Sequence, residues 1–490
     1  MTGRLDRRAL LLGGTGVATT AALTTVAPAM AGESSRTLVF KGRFTDPDGP
    51  DWHYVPFRVP EGVRALEVHY DYTPTPAGPT TFNVVDIGIF DASGHGLGDA
   101  AGFRGWSGGA RRSFRINRHR ATPGYLAGPI TPGRWAIALG PYQIDFGGTP
   151  WKVEVTLHFG KRRPRFVPHP PPTSVAGTGA GWYRGDLHVH TVHSDGSQTP
   201  AEALADARAA GLDFIGSSEH NTSSAHARWG KVVDDDFLVI CGEEVTTRAG
   251  HWIAAGLPAG TWVDWRYRPE DGELPRFTQQ VRDAGGIAIA AHPEQLGTGI
   301  GWQFGDDFGP MDAVEVWNGP WSGLNAYANE KALSAWHGLL TDGVFKPAVG
   351  NSDSHNHGQR IGLAQTVVRA DSLSVDALLD GYRGGHAWIA ESSDIDLDLT
   401  ATLGEVTGGC GDHVPSSEGD TVGVRLHVTG LDDGCVATLL GPGTTVHATA
   451  PATGGEVLLD ASVPGGTSFV RAEVRRGPAM VAMTNPVFLS

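Results

Sequence analysis

The chain has 490 residues, 40% of them hydrophobic and 19% charged, and a formal net charge of -15. That length allows about three domains, and the composition is that of a globular protein rather than a disordered one. The acidic balance argues against a nucleic-acid backbone as partner, because that binding needs clustered Lys and Arg.

In chain order, residues 1–31 read as an address rather than as fold. Arg7 and Arg8 precede an uncharged Ala/Thr/Gly/Leu run between Ala9 and Ala31, closed by the small residues Ala27-Pro28-Ala29-Met30-Ala31. The pattern resembles a twin-arginine export signal. It implies a secreted or cell-envelope protein whose mature chain begins near Gly32, with no membrane insertion after cleavage. Residues 36–160 hold short runs (RALEVHYDY, NVVDIGIF, WAIALG, KVEVTLHF) between Gly/Pro turns, the pattern of an antiparallel β-sandwich. The basic run KRRPR and the prolines after it make 161–181 a linker with solvated charges. Between 182 and 395 strands alternate with helices, which predicts an α/β unit with a parallel sheet or barrel. From 397 to 490 strand patterns return (VGVRLHV, CVATLL, SFVRAEVRR), and a second, Ig-like β-sandwich is expected. Cys410 and Cys435 fall in that one exported unit and are expected to form a disulfide; Cys241 ends an apolar run and reads as a core thiol.

Within 182–395 one unit is legible in detail. Thr199 is an N-cap, Pro200 takes the first helical position, Glu202 completes a capping box and Gly211 stops the helix. The strand DFIGSS then leads to Glu219-His220-Asn221. FLVIC likewise precedes Gly242-Glu243-Glu244, IAIAA precedes His292, AVEVW precedes Asn318, and KPAVG precedes Asp353 and His355. Histidines or carboxylates thus fall just past the C-terminal ends of strands, the face on which β/α barrels build their sites. In Asp186-Leu187-His188-Val189-His190 the two imidazoles stand at i and i+2, so on a strand both point to one side. Asp353 and His355 repeat that spacing. One H-x-H alone is more often incidental than a ligand pair; recurrence across strands is what points to metal.

DLHVHTVHSDG (186–196), SEHN (218–221), GEEVTT (242–247), AHP (291–293) and GNSDSH (350–355) resemble, in order, the motifs of the polymerase and histidinol phosphatase (PHP) domain. GHW (250–252), EVWNG (315–319) and MVAMTNPVFL (480–489) resemble its carbaryl-hydrolase-related CehA/McbA branch. The resemblance implies a PHP-type distorted β/α barrel flanked by the two sandwiches, holding two or three divalent ions (zinc, manganese or iron). It implies a first ion on His188, His190, Glu244 and Asp353. A second would sit on Glu244, His251 and His292, and a third on Asp195, His220 and His355. Glu219, where the family carries Asp, is expected to support His220. Glu243 is expected not to be a ligand, and His193 to lie at the surface or behind the ligands.

A carboxylate-bridged pair of ions can hold a water and lower its pKa enough to make hydroxide near neutral pH. Asp353 would accept the proton, and a third ion would offset charge on substrate oxygens. Arg248, Asn318 and Asn221 stand beside the motifs and are expected either to grip the substrate or, equally, to support the ligands from behind. The expected activity is hydrolysis of a small-molecule phosphate ester. One alternative is cleavage of a carbamate, ester or amide by the same metals. Another is a non-enzymatic glycan-binding surface protein with a structural cluster, although structural sites need only one ion and this set supplies more ligands than one can use.

Overall fold

The computed structural model describes residues 34–45, 49–74, 82–161, 163–297 and 299–490. The expected export signal and its cleavage point lie outside them. Among the described residues no helix is long and apolar enough to cross a membrane.

Alternating side chains in the N-terminal runs produce strands with one buried face, as in Val63–Tyr72, where nearly every second residue is buried. In chain order the strands are β1 (Ser35–Phe44), β2 (His53–Val59), β3 (Val63–Tyr72), β4 (Val84–Phe90), β5 (Phe103–Trp106), β6 (Ser113–Asn117), β7 (Gly133–Gln143) and β8 (Thr149–Phe159). They make two antiparallel sheets, ordered β1-β8-β3-β6 and β2-β7-β4-β5. Leu66, Val68 and Val155 of one sheet meet Ile87, Ile89 and Ile137 of the other in a shared core. Burying each such side chain contributes roughly 1.5–3 kcal/mol.

The central unit opens with β9 (Gly181–Asp186), β10 (Phe214–Ser217), β11 (Leu238–Thr247), β12 (Gly250–Ala255), β13 (Ile287–Ala291), β14 (Ala313–Asn318) and β15 (Ala348–Asn351), which stand side by side in chain order. Neighbours are parallel except around β12, which is antiparallel to both β11 and β13. The row curls until its ends meet: Val189, just past β9, bridges Ser354, just past β15, and Leu187 N donates to Asn351 Oδ1 (2.7 Å). Helix α1 (Pro200–Ala209) has the expected capping box between Thr199 and Glu202, and Gly211 follows with φ +73°. Helix α2 (Leu274–Asp283) buries Leu274, Phe277, Thr278 and Val281, one stripe at helical spacing, and packs on β13. Helices α3 (Gly323–Thr341) and α4 (Val375–Arg383) complete the unit.

On the other side of β9 lie β16 (Gln365–Ala370) and β17 (Ala387–Ala390), both antiparallel. The closing segment holds β18 (Asp396–Leu403), β19 (Val406–Gly408), β20 (Thr421–Thr429), β21 (Cys435–Leu440), β22 (Val446–Pro451), β23 (Glu456–Pro464), β24 (Phe469–Arg476), β25 (Ala479–Thr484) and β26 (Val487–Phe488). It does not stand apart as a separate unit. β25 pairs with β17 (Ile389 opposite Met483), so the central sheet runs on through β17-β25-β24-β21-β22. The layer β19-β18-β20-β23 covers it, and their core includes Val367 and Trp388 of the central unit. The expected disulfide is not formed: Cys410 and Cys435 are both free, buried thiols. Cys410 follows β19 in one layer and Cys435 opens β21 in the other, so the two enter the core from opposite sheets. Cys241 is buried, as expected.

The N-terminal unit is docked on the central one through aromatic rings. Phe103 stacks on Trp262 with centroids 4.3 Å apart, and Trp106 lies 4.7 Å from Trp265.

Candidate metal centre

Local backbone devices bring the ligand side chains together. Past β9 the chain bends at Leu187 and is held by the Val189–Ser354 bridge and by Val189 N donating to Ser218 Oγ (2.8 Å), and His188 and His190 both reach Glu244 Oε2. β11 runs on to Thr247 instead of ending at Cys241 as expected, and Glu244 projects from within it. Its neighbour Glu243 projects the other way, where Oε2 accepts from Val263 N (3.1 Å). His292 and Asp353 follow their strands with φ of +28° and +51°, and Asn221 has +55°. That left-handed conformation is costly for residues bearing a Cβ and clusters at functional sites.

Glu244 is the hub. Its Oε2 lies 3.3 Å from both His188 Nε2 and His190 Nε2, and 2.8 Å from His220 Nδ1. Its Oε1 lies 2.9 Å from His251 Nδ1 and 3.1 Å from His292 Nε2. Asp353 Oδ1 stands 3.2 Å from the Nε2 atoms of His188 and His190. At the outer edge Asp195 Oδ1 is 3.5 Å from His220 Nε2 and 3.4 Å from His355 Nε2. Adjacent ligands of one ion bound at about 2.0–2.2 Å are themselves roughly 3.0–3.5 Å apart, so these spacings suit cations. All nine expected ligands are brought together, but in overlapping groups rather than in separate cages. His190 joins Asp195, His220 and His355; His188 joins His190 and Glu244, and also His292 and Asp353; His220 joins Glu244 and His251.

Several buried atoms of these side chains have no hydrogen-bond partner among the described residues: His188 Nε2, His190 Nε2, Glu244 Oε2, Asp353 Oδ1, His251 Nε2 and His292 Nδ1. Buried polar atoms are rarely left so unless an ion or a water meets them. The donor set of imidazole nitrogens and carboxylate oxygens fits zinc, manganese or iron.

Polar groups behind the ligands fix their orientation. Glu315 Oε1 meets His188 Nδ1 at 3.0 Å, and its carboxylate accepts from Asn351 Nδ2 (2.8 Å), Asn318 Nδ2 (3.0 Å) and His292 N (2.8 Å). His355 Nδ1 donates to Asp353 O (2.9 Å), and His220 Nδ1 meets Thr246 Oγ1 at 2.6 Å. In His188 and His355 these bonds occupy Nδ1 and turn Nε2 toward the cluster, whereas His220 Nδ1 faces both Thr246 and Glu244 and its Nε2 faces Asp195.

The field of the cluster favours positive charge. Burial alone would lower the imidazoles, yet Asp353 and Glu244 push His190 up to about 10. His188, facing Asp353, Glu315 and Glu244, also rises well above its usual range against the effect of burial. Burial would raise Glu244 and Asp353, but the imidazoles around them hold both well below the carboxylate range.

Other expectations are corrected by the contacts. Glu219 does not support His220: it accepts from Thr191 N (3.1 Å), Thr191 Oγ1 and Ser194 Oγ (2.6 Å), and so shapes the loop after His190. His193 is buried, with Nδ1 2.9 Å from Ser224 Oγ. Asn221 spends its amide on the backbone of Thr246 (2.7 and 3.3 Å), and Asn318 serves Glu315 and Asp353 (3.0 and 3.3 Å). Both hold protein groups in place, the second of their two expected roles, and Asn221 also lines the cavity that Arg248 borders. Arg248 borders a cavity of about 350 Å³ beside Asp195 and His220. Sequence reasoning misses Glu315 as an orienting group, although a carboxylate inside the apolar run AVEVW is a signal. It also misses Trp52, Asp86, Trp106 and Tyr142 on the cavity wall, which belong to another unit and carry no local signal.

Neither a family model nor a curated protein matches the chain. Among solved structures, the chain is similar to a two-domain protein from Bacteroides vulgatus ATCC 8482 containing a predicted PHP-like metal-dependent phosphoesterase. Identity is 18% and the TM-score 0.34, over 67% of this chain and 100% of that one. It is also similar to an amidohydrolase from Chromobacterium violaceum with bound sulfate and no metal. There identity is 17% and the TM-score 0.28, over 36% of this chain and 89% of that one. Likenesses this distant leave function to be argued from the site.

Proposed function

We propose that the protein is an exported metallohydrolase with a PHP-type barrel, cleaving a phosphate ester with two or three divalent ions. The observation that carries this is the two-sidedness of Glu244, which aims Oε2 at His188 and His190 and Oε1 at His251 and His292. A carboxylate so placed holds two cations at a fixed separation and offsets their repulsion. Ions bound there would polarise a phosphoryl oxygen and make a water acidic enough to ionise near neutral pH. Asp353 gives Oδ1 to the His188–His190 side, while Oδ2, steadied by Asn318 Nδ2 (3.3 Å), keeps a lone pair for the water's proton. Asp195, His220 and His355 are partly exposed and stand where substrate arrives, so they set the outer oxygens of the phosphate. The motifs resembling the PHP domain support phosphorus over a carbonyl carbon as the target. Arg7-Arg8 and the small residues at 27–31 support export.

The test is metal analysis of the purified protein, with turnover assays on phosphate mono- and diesters and on aryl carbamates. The expected result is two or more equivalents of zinc, manganese or iron, and phosphate-ester hydrolysis that a chelator abolishes. One equivalent or none, without turnover, overturns the proposal; turnover of carbamates alone moves the reaction to carbonyl carbon. Secreted protein that retains Arg7 and Arg8 in its mass spectrum would sink cleavage near Gly32.

A further inference from the structure

The cavity beside the outer edge of the cluster has two walls of different origin. Asp195, His220 and His251 line one side, and Trp52, Trp106 and Tyr142 of the N-terminal unit line the other. Arg248 stands where the walls join. Its guanidinium carbon lies 4.9 Å from the ring centre of Trp52 and 4.3 Å from that of Tyr142. Gly140 keeps this stack open: a Cβ there would come within 2.8 Å of both Arg248 Nη2 and the Trp52 ring.

Arg248 is buried, with 7% of its side chain exposed, and its ion-pair partner Asp86 stands 3.5 Å from Nη2. Nevertheless Nε, Nη1 and Nη2 make no hydrogen bond among the described residues. A buried guanidinium offers five N–H donors in a planar fork, and leaving them bare is costly. With aromatic rings against it, the fork is shielded from water at the border of the cavity, and a carboxylate or phosphate reaching its edge would bind through two parallel bonds.

We propose that the N-terminal unit completes the substrate site. Arg248 receives a second anionic group, a carboxylate or phosphate, at the far end of an apolar substrate body that lies against Trp106. This rests on the phosphoesterase reading and specifies its substrate class: a phosphate ester with a ring-sized apolar body and a second negative charge. Arg248 is the specificity-determining residue, and Asp86 tempers it by competing for the same guanidinium.

The experiment uses the metal-loaded full chain and three non-hydrolysable probes: methylphosphonate, phenylphosphonate and 4-carboxyphenylphosphonate. Calorimetry should show phenylphosphonate binding more tightly than methylphosphonate. The added carboxylate should gain roughly tenfold more, the scale of one charge-assisted bidentate pair. Arg248→Met should erase the carboxylate gain and leave the other two affinities unchanged, whereas Asp86→Asn should enlarge it. Should Arg248→Met fail to fold, Arg248→Lys, which keeps charge but loses the fork, should lose most of the gain. No carboxylate gain in the wild type, or no binding of the carboxylated probe, overturns the proposal. So does an Arg248→Met variant that weakens all three probes alike, since Arg248 would then serve the reacting group. Turnover of the matching phosphate esters is read separately: the expected binding order without turnover sinks the phosphoesterase reading and leaves the anion site standing.

Discussion

The inner and outer halves of the cluster use the same residue types in opposite surroundings. The side chains of His188, His190 and Glu244 have no exposed surface, and Glu315 fixes His188 from behind. At the outer edge Asp195 is 46% exposed and His355 27%. Water can satisfy the outer atoms when no cation is present, but it has little access to the inner ones. Under the proposed function, cations would be held more tightly by the inner half than by the outer, which could exchange ions and make room for substrate.

The substitution that breaks this contrast most sharply is Glu244→Gln. Loss of the hub's charge affects both ion sets at once, so turnover should fall on the order of 10³-fold or more. Metal content should fall by at least one equivalent. Glu243→Gln is the control: Glu243 projects away from the cluster, and burial raises its carboxyl well above the usual value, so the amide should cost far less there. Near-normal turnover and full metal in Glu244→Gln would remove the bridge.

Glu315→Gln tests the support of the inner half. It leaves every ligand in place but weakens the hold on His188, His292 N and Asn318, and should cost about 10–100-fold in metal affinity or activity. An unchanged zinc-binding isotherm would show that these bonds only fill space.

Asp195→Asn probes the outer half. Because water screens this position, turnover should fall by only roughly tenfold while the inner equivalents of metal stay bound. A graded chelator titration on the wild type should release the outer ion first. Loss of all metal in Asp195→Asn would mean that the halves are one cooperative unit.

The two halves were also unequally legible in the sequence. His188, His190, Asp353 and His355 announce themselves through i, i+2 spacing, because a strand puts such pairs on one face. The sequence points to Glu244 rather than Glu243 as a ligand, but its pattern ends the strand short of both. The switch from parallel to antiparallel pairing inside β11 depends on β12, which no local pattern reports. The role of Glu219 is hidden for a similar reason: its partners Thr191 and Ser194 lie in a loop almost thirty residues away in sequence. The capping box of α1 was readable because its partners stand only three residues apart. The joining of β25 to β17 and the cavity wall from the N-terminal unit were not, since sheet edges and docking faces are fixed by contacts between distant segments.

The smallest effect on turnover is expected outside the cluster, at His226, and it isolates what burial alone does to an imidazole. His190 and His226 are both fully buried. Carboxylates raise the first, whereas burial takes the second down to about 4, only partly opposed by its bond to Gly242 O. His226 Nε2 donates to Gly242 O (2.7 Å) and Nδ1 accepts from Gly260 N (3.1 Å), so a second proton would have to displace Gly260. The unfolded chain, with an ordinary imidazole near 6.5, takes up that proton first. Stability from this residue is therefore complete above pH 6.5 and is lost as pH falls toward 4. Between pH 7 and pH 5 the loss is about 2 kcal/mol. His226→Gln keeps a donor and an acceptor but cannot titrate. Urea unfolding of both proteins at pH 7 and pH 5, with metal held constant, should show the wild type losing about 2 kcal/mol more than the variant. Equal losses would mean that His226 is already charged in the fold or never takes up the proton on unfolding, and burial would then not be what sets its charge.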